Sequence, residues 1–447
     1  MPAVVPSGRS PQPGDRASLP GGRAWFAGVL AEDLVEATTD VRRLDEGGWW
    51  AVVVTFEGEA RLWRFTRTTP APAAGGSATL GGDPRSGPSG GPFSTAGPPT
   101  GPDRDPRTDP DPRTDPDPRT GPDPDPRTGP DRDPRTGPDP GPWTGPDPGT
   151  WTTSLDADAF KHGVEEIRRR IREGEVYQVN LCRLLTAPVP PTADPWALAD
   201  VLRRGNPARY AAVVDVPDLD DVPGLRLVSA SPELFLRREP DSAAPGEAIL
   251  TSAPIKGTAR TTADLLPKDT AENVMITDLV RNDLQRVCLP GSVEVSGLLR
   301  VEHHPGLVHL VSTVRGRLRP QVRWPDILAA TTPPGSVSGA PKSTALRAIA
   351  DLEPVDRGPY CGAVGWVDAD RGRACLAVGI RTFWWDGGRL LFGTGAGITW
   401  GSDADGEWRE TELKARRLLA LAGLRPPDRP ELAGSATSGH AGHAEVG

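Results

Sequence analysis

Residues 68–153 limit what this 447-residue chain can fold into, because they contain almost no aliphatic side chains. The segment consists largely of Pro, Gly, Asp, Arg and Thr, and the tetrapeptide Asp-Pro-Arg-Thr begins at Asp105, Asp111, Asp117, Asp125 and Asp133. Such a composition cannot bury a hydrophobic core, and the lack of aliphatic residues argues against a stacked solenoid. Frequent proline instead favours an extended, partly polyproline-like spacer. The sequence therefore predicts a disordered linker over residues 68–153.

The rest of the chain divides into three parts. Residues 1–67 contain strand-like runs at 25–30, 49–56 and 60–65. Three such strands rarely form an independent sheet, so we expect this segment to join a larger sheet. Residues 154–424 supply that sheet, because helical patterns alternate there with runs of antiparallel strands, which is typical of the α+β class. Residues 425–447 are rich in Ala, Gly, His and Ser and are predicted to be a disordered tail.

Charge, hydropathy and cysteine spacing exclude several classes of protein. The net charge of -9 argues against nonspecific nucleic-acid binding, which needs clustered basic residues. No apolar run reaches membrane-spanning length. The four cysteines, Cys182, Cys288, Cys361 and Cys375, show no CxxC spacing, so reduced thiols are expected. A cytoplasmic protein with neither a nucleic-acid nor a membrane partner is therefore expected.

Two segments far apart in the sequence carry the same pattern of acidic residues. Asp269 and Glu272 are three residues apart in a helix-like segment, and so are Glu407 and Glu410 near the end of the chain. Residues at this spacing share one face of a helix. Two helices could therefore aim a carboxylate pair at one point and hold a hard divalent cation. The alternative is a solvated charged face on each helix.

Lysine is rare in this chain, which has five Lys against 46 Arg. Lysine differs from arginine in that it can lose its proton and act as a nucleophile or base. Lys256 stands between Ile255 and Gly257 in a segment bounded by proline and glycine. This setting favours a chemical role for Lys256 over a solvated surface position.

Seven motifs in a fixed order resemble the chorismate-utilising enzymes. They are YQVNL at 177–181, SPELF at 231–235, PIKGT at 254–258, DLVRNDL at 278–284, SGAPK at 338–342, GIRT at 379–382 and GAGI at 395–398. That family includes anthranilate synthase component I, aminodeoxychorismate synthase component I, and the isochorismate and salicylate synthases. The resemblance covers about residues 155–422 and implies a four-layer α/β/β/α sandwich with orthogonally packed antiparallel sheets.

Two positions indicate which branch of the family the chain resembles. Lys256 matches aminodeoxychorismate synthase, whereas anthranilate synthases usually have alanine there. Gln178 matches both aminating branches, because the water-adding branches use lysine as a base at that position. The resemblance therefore implies component I of an aminodeoxychorismate synthase, which makes 4-amino-4-deoxychorismate for p-aminobenzoate and folate biosynthesis.

The resemblance also implies roles for individual residues. Glu233 corresponds to the general acid and base, Lys256 to the nucleophile that attacks C2 of chorismate, and His309 to a histidine near the departing hydroxyl. The Gly395-Ala396-Gly397 segment is expected to be a turn whose backbone N–H groups face a substrate carboxylate. The implied substrate-binding residues are Gln178, Ser336, Ser338, Gly339, Ala340, Tyr360, Arg381, Gly395, Ala396, Gly397 and Lys414.

A magnesium ion and a partner protein follow from the same resemblance. Glu272 and Glu410 correspond to the principal Mg²⁺ ligands, and Asp269 and Glu407 are expected behind them or to reach the ion through water. Mg²⁺ typically takes only one or two protein carboxylates and completes its shell with water and substrate oxygens. No cysteine lies in a glutaminase context, so the ammonia is expected to come from a separate glutamine amidotransferase.

Three alternatives stay open at this point. The chain could be an anthranilate synthase component I, or an aminodeoxychorismate synthase of an antibiotic pathway. The third is a catalytically inactive homologue that acts as a scaffold through its proline-rich linker. The intact carboxylates and lysines argue against the scaffold.

Overall fold

The computed structural model describes residues 21–70, 142–259, 261–265, 267–304 and 307–423. The predicted tail over 425–447 and most of the predicted linker lie outside these residues. Six helices occur in the described part: Ala157–Arg172 (α1), Pro195–Gly205 (α2), Pro267–Gln285 (α3), Trp324–Thr331 (α4), Lys342–Leu352 (α5) and Ala404–Ala422 (α6). None of these helices is both long and apolar enough to cross a membrane.

Eighteen strands accompany the helices in the described part of the chain. They are Arg23–Phe26 (β1), Val29–Thr38 (β2), Trp49–Val54 (β3), Ala60–Pro70 (β4), Thr152–Thr153 (β5), Gln178–Pro188 (β6), Tyr210–Val216 (β7), Leu225–Ser231 (β8), Leu234–Pro240 (β9), Ala248–Ala253 (β10), Ile255–Ala259 (β11), Glu294–His304 (β12), Leu307–Arg317 (β13), Gly339–Ala340 (β14), Ala363–Asp368 (β15), Arg373–Val378 (β16), Thr382–Asp386 (β17) and Arg389–Ile398 (β18).

The strands form two ladders that meet at β4. From one edge of β4 the pairing runs through β2, β1, β7, β8, β17 and β18 to β6. From the other edge it runs through β3, β15, β16, β9 and β10 to β13. All these pairs are antiparallel, so the α+β class predicted from the sequence is confirmed.

The N-terminal strands are part of the core of the protein. All six residues of β3 are buried, and Trp50 and Trp63 are among the largest fully buried side chains. The run at 25–30, expected as one strand, is instead the hairpin of β1 and β2. Gly28 allows this reversal because its φ of 101° is readily adopted by glycine.

The helices cover the ladders, and α1 and α6 each begin at a capping aspartate. Helix α3 packs on β11, β12 and β13, while α6 packs on β18 and against α1 and α2. Asp156 caps α1 by accepting a hydrogen bond from the N–H of Ala159, and Asp403 caps α6 in the same way through Gly406. These caps satisfy N–H groups that the first turn of a helix leaves unpaired.

Residues 142–153, which the composition places in the linker, belong to the folded unit. Trp143 is 5% exposed, and its indole Nε1 donates a hydrogen bond to the carbonyl of Ala422 at the end of α6 (2.7 Å). Its ring packs edge-on against Trp385, and Thr152 and Thr153 pair with β6. Trp143 stands where the preceding repeats carry arginine. The predicted linker boundary at residue 153 is corrected accordingly, because one buried indole attaches a segment that composition alone cannot distinguish from the spacer.

Two linker replacements should have different effects on stability. Replacing residues 71–141 by a short Gly/Ser spacer is expected to leave the thermal unfolding midpoint unchanged. Replacing 68–153 also removes Trp143, β5 and the end of β4. Because truncating a buried tryptophan costs about 3–5 kcal/mol, the midpoint should then fall by several degrees. Trp143→Arg, which restores the repeat, should reproduce most of that fall. Equal midpoints for both replacements in differential scanning calorimetry would contradict the assignment of Trp143 as an anchor.

Candidate active site

Glu233 lies where the chain crosses from one ladder to the other. Strand β8 ends at Ser231 in the first ladder and β9 begins at Leu234 in the second. The Ser231 hydroxyl donates to the carbonyl of Val378 (2.7 Å), and the N–H of Val378 donates to the carbonyl of Glu233 (3.0 Å). The crossing is thereby attached to β16, and Glu233 is held at 3% exposure.

The carboxyl group of Glu233 has a pKa close to neutral pH. Burial raises its pKa to about 7, against opposing effects of the Ser336 hydroxyl, Lys256, the N–H of Ile255 and Arg381. The Ser336 hydroxyl donates to Oε1 of Glu233 at 2.5 Å. A carboxyl group with this pKa can either donate or accept a proton at physiological pH, as general acid–base catalysis requires.

Lys256 and Gln178 come together from opposite ladders at Gly397. A Cβ atom at position 397 would lie 2.4 Å from Nε2 of Gln178 and 3.7 Å from Nζ of Lys256, so a side chain there would displace the Gln178 amide. Gln178 is 1% exposed, and its Oε1 has no hydrogen-bond partner among the described residues. A buried polar atom without a partner is costly, and a ligand at this point would satisfy it.

Lys256 projects from an irregularity in β11. The register between β11 and β13 shifts between Ile255 and Thr258, and Gly257 has a φ of 88°. Bulges of this kind change the direction of a side chain and are frequent beside active sites. His309 of β13 is buried and lies opposite Thr258, so it shares this end of the second ladder with Lys256.

The Gly395-Ala396-Gly397 segment is a strand, which corrects the expected turn. These residues belong to β18 and pair with Cys182, Leu181 and Asn180 of β6. A Cβ at position 395 would lie 2.5 Å from the sulfur of Cys182. Gly395 is therefore required by close packing of β18 on β6, whereas Gly397 leaves room for the ends of the Gln178 and Lys256 side chains, so a turn is not needed to explain either glycine.

The 335–340 segment forms the wall next to Glu233 and Gln178. Ser336 lies in a short 3₁₀ turn, Gly335–Val337, and donates to Glu233. Ser338 uses its hydroxyl within the loop, where it donates to the carbonyl of Pro334 (3.1 Å). Gly339 and Ala340 form β14 beside Gln178, and a Cβ at 339 would lie 2.2 Å from the carbonyl of Gln178. Of the expected loop residues, Ser336 alone makes a side-chain hydrogen bond to Glu233 in the described structure.

Arg381 supplies a positive charge near Glu233. Its φ of 54° lies in the left-handed region, where a residue with a side chain is strained, and such strain clusters at functional sites. Burial lowers the pKa of Arg381, whereas the charge of Glu233 raises it. No hydrogen bond from the Arg381 guanidinium is present within the described part of the chain, so its donors are available to an anionic ligand.

Tyr360, expected in the substrate pocket, is buried at 5% exposure, and its expected contact with substrate stays a prediction. Its hydroxyl accepts a hydrogen bond from the Cys182 sulfur (3.9 Å), and a Cβ at Gly393 would lie 2.1 Å from its ring. Burial raises the pKa of Tyr360 well above its usual range. These contacts give Tyr360 a packing function behind β18.

The acidic residues on α3 and α6 lie beside the two ladder ends that carry Lys256 and Gly395. A Cβ at Gly257 would lie 2.9 Å from Cβ of Asp269, so α3 packs directly on the Lys256 irregularity. On α6, Nζ of Lys414 contacts Oε1 of Glu410 (2.7 Å) and donates to the carbonyl of Gly395 (3.1 Å).

Carboxylate oxygens of this kind are the ligands that a hard cation such as Mg²⁺ prefers. Glu272 is half-buried on the same helix as Asp269, and Glu407 is buried on α6. Within the described ranges no three His, Cys, Asp or Glu side chains form a cluster that could hold a metal by themselves.

Two ion pairs near the site were not predicted from the sequence. Nζ of Lys342 donates to Asp283 (2.6 Å), which lines the same pocket as Glu233 and Ser336. Arg357 and Glu353 form a second pair with both side chains almost fully buried. The motifs at 278–284 and 338–342 contain Asp283 and Lys342, but spacing in sequence does not show that the two residues meet.

The chain is similar in sequence to known chorismate binding enzymes. Residues 136–420 match the family of chorismate binding enzymes. An anthranilate synthase component 1 of Haloarcula marismortui is 38% identical over 59% of this chain and 53% of its own length. An aminodeoxychorismate synthase of Streptomyces pristinaespiralis is 42% identical over 62% of this chain and 39% of its own length. The chain thus spans about half the length of these relatives, or less.

Solved structures support the predicted fold. Anthranilate synthase component I from Streptococcus pneumoniae aligns with a TM-score of 0.60 over 94% of this chain and 95% of its own, at 21% identity. The 2,3-dihydroxybenzoate-specific isochorismate synthase DhbC of Bacillus anthracis aligns with a TM-score of 0.63 over 90% and 97%, at 19% identity. The fold expected from the seven motifs is therefore confirmed. Because the family match covers well over half of the sequence, the chain belongs to the chorismate binding enzymes.

Proposed function

We propose that this protein is the chorismate-aminating component of an aminodeoxychorismate synthase, which converts chorismate and ammonia to 4-amino-4-deoxychorismate. The observation that carries the proposal is the meeting of Lys256 and Gln178 at Gly397, 3.7 Å and 2.4 Å from the position of the absent Cβ. A lysine and a glutamine at these two positions are the pair that distinguishes this branch of the family. Glu233, with a pKa of about 7, supplies the acid that the reaction needs beside them.

The proposed reaction begins with Lys256 as a nucleophile. Its Nζ, as the free amine, forms a bond to C2 of chorismate, the two conjugated ring double bonds each shift by one position, and the C4–O bond breaks. Hydroxide is a poor leaving group, so Glu233 protonates the oxygen as it departs and water is released. Ammonia then forms a bond to C4, the two double bonds shift back, and the bond from C2 to Lys256 breaks. The lysine is recovered, and the product carries an amine in place of the hydroxyl.

The surroundings of Glu233 suit this sequence of proton transfers. A lysine with its ordinary pKa of about 10.4 is almost fully protonated at pH 7 and cannot attack. Glu233 is close enough to Lys256 for their charges to interact, and burial favours its protonated form. The proton held by Glu233 is available to the departing hydroxyl, and Lys256 must release its own proton before it attacks.

Arg381 and the two acidic helices complete the proposed site. The guanidinium of Arg381 is suited to one carboxylate of the chorismate dianion, because its donors match carboxylate geometry. Glu272 and Glu410 would hold Mg²⁺, with Asp269 and Glu407 nearby, and the bound ion would neutralise another substrate carboxylate. Ammonia would come from a glutamine amidotransferase partner or from free ammonium salts.

Anthranilate synthase component I is the second candidate function. It is supported by the Haloarcula relative, which is 38% identical over 274 residues. Gln178 fits either aminating reaction, whereas Lys256 favours the first candidate. The two reactions differ in their products, because anthranilate formation releases pyruvate and aminodeoxychorismate formation does not.

Product analysis should distinguish the two candidates directly. After incubation with chorismate, Mg²⁺ and ammonium, we expect mass spectrometry to show chorismate in which a hydroxyl has been replaced by an amine. A coupled lactate dehydrogenase assay should detect no pyruvate. Fluorescent anthranilate together with pyruvate would favour the second candidate, and unchanged chorismate in the presence of ammonium and Mg²⁺ would contradict both.

Substitutions of Lys256 test its role as a nucleophile. Lys256→Arg should be nearly inactive although it preserves charge, because a guanidinium supplies no free amine at neutral pH. Lys256→Ala should retain more activity, because ammonia can attack chorismate directly in the space that opens. If Lys256 acted only through its charge, Lys256→Arg would retain more activity than Lys256→Ala. Mass spectrometry of the protein with chorismate and no ammonia should show an adduct at Lys256, and its absence together with near-parental activity of Lys256→Arg would refute the mechanism.

Substitutions of the acidic residues test the proposed metal site. Glu272→Gln and Glu410→Gln should each raise the Mg²⁺ concentration needed for half-maximal activity by at least about tenfold, because each removes an anionic ligand from a site with few. Glu165→Gln on the exposed face of α1 is the control and should titrate with Mg²⁺ like the parent. Parental Mg²⁺ titrations for Glu272→Gln or Glu410→Gln would show that the assignment is wrong.

A further inference from the structure

Arg357 is a buried charged residue to which the proposed reaction assigns no role. Its side chain is 2% exposed and that of its partner Glu353 is 5% exposed. Nε and Nη2 of Arg357 donate to the two carboxylate oxygens of Glu353 at 2.7 and 2.6 Å. Removing two charges from water costs about as much as their attraction returns, so a buried ion pair is weak evidence for a stabilising role. The remaining contacts of Arg357 indicate what else it does.

The other donors of Arg357 connect two walls of the candidate site. Nη1 donates to the carbonyl of Val337 (2.9 Å), and Nη2 donates to the carbonyl of Asn180 (2.7 Å). Val337 closes the 3₁₀ turn that contains Ser336, and Asn180 lies two residues after Gln178 in β6. One planar guanidinium therefore fixes the distance between the turn of Ser336 and the strand of Gln178.

The 3₁₀ turn has little internal support of its own. Its backbone bonds from Val337 to Pro334 and from Ser338 to Gly335 are 3.2 and 3.4 Å long. Short 3₁₀ segments have poorer hydrogen-bond geometry than α-helices, so contacts from outside determine where this turn lies. A firm external bond is the one from the N–H of Asn180 to the carbonyl of Ser338 (2.8 Å), beside the Arg357 contacts.

The N-terminal segment covers Arg357 from the other side. The guanidinium carbon lies 4.1 Å from the ring centre of Phe56, and the backbone N–H of Arg357 donates to Glu57 (2.8 Å). The N–H of Phe56 donates to the carbonyl of Gly358 (2.8 Å). These residues lie in the turn between β3 and β4, outside the region that matches the family.

We propose that Arg357 is a positioning residue that holds the Ser336 hydroxyl in hydrogen-bonding distance of Glu233, and that Phe56 and Glu57 of the N-terminal segment keep it in place. The proposal rests on the catalytic role given to Glu233 above. The groups that face Glu233 are Lys256 from β11, Arg381 after β16, Ser336 from the turn, and Asp283 from α3 across the pocket. Arg357 contacts none of the reacting atoms and acts through Ser336.

The titration of Glu233 provides the measurement, because the Ser336 hydrogen bond lowers the pKa of this carboxyl group. Difference infrared spectroscopy can follow its carboxyl band without substrate, with Glu233→Gln as the blank. The parent should titrate near pH 7. Arg357→Lys keeps a positive charge beside Glu353, but a single nitrogen cannot also reach both backbone carbonyls. The midpoint should therefore rise by about one pH unit, because a bond that favours the ionised carboxylate is lost.

A double-variant cycle separates positioning from general disruption. Ser336→Ala removes the same hydrogen bond directly and should raise the midpoint to a similar value. Arg357→Lys combined with Ser336→Ala should titrate like Ser336→Ala alone, because the two changes act through one bond. Arg170→Lys, at an arginine that pairs with Glu166 and Asp351 on the helix surface, should titrate like the parent.

Each outcome of these titrations decides the proposal. A folded Arg357→Lys protein with the parental midpoint, or shifts that add in the double variant, would overturn it. If Arg357→Lys does not fold, as judged by circular dichroism, Phe56→Leu decides. That variant removes the aromatic ring that packs against the Arg357 guanidinium. A rise of the midpoint would support the proposal, and an unchanged midpoint would overturn it. Because no substrate is involved, a failure to aminate chorismate would defeat the proposed function without affecting this result.

Discussion

The pairing of β4 along both of its edges is the constraint on which the rest of the structure depends. Among the described strands, β4 alone pairs with members of both ladders, through β2 on one side and β3 on the other. Gln178 lies in the last strand of the first ladder, and Lys256 lies in β11, which pairs with the last strand of the second ladder. The N-terminal strands thus determine how two distant motifs face each other, although they lie outside the region that matches the family.

The pKa of Glu233 follows from its position where the chain passes from the first ladder to the second. A carboxyl group in water would be ionised at pH 7, but burial at the crossing favours the neutral form. Lys256, Arg381, the Ser336 hydroxyl and a backbone N–H each favour the ionised form, and together they only partly offset burial. The resulting pKa of about 7 depends on several weak opposing effects. Small movements of any contributor therefore change the protonation of this group.

The ordered motifs predicted the fold and placed Glu233, Lys256 and Gln178 in one site, because their sequence and order resemble those of the chorismate-utilising enzymes. Single glycines and local composition predicted local structure less well. Glycine at 395 and 397 suggested a turn, but glycine is equally required where a strand packs closely, and sequence does not distinguish the two. Trp143 was assigned to the linker because its neighbours dominate the composition. Arg357 was overlooked because it is one of 46 arginines in the sequence. Its burial distinguishes it from most of them, and burial is visible only in the folded protein.

The loop that carries Ser336 is bracketed by two cations, the part-buried Lys342 and the buried Arg357. Nζ of Lys342 donates to the carbonyl of Thr331 (3.2 Å) before the loop, and Nη1 of Arg357 donates to the carbonyl of Val337 after Ser336. Each cation has its own carboxylate, Asp283 or Glu353, so the loop carbonyls are bound without an unpaired buried charge. Donors fixed before substrate arrives need no reorganisation during reaction, and electrostatic preorganisation of this kind accounts for a large part of many enzymatic rate enhancements. The ion pairs are therefore better explained by the placement of one hydroxyl than by stability.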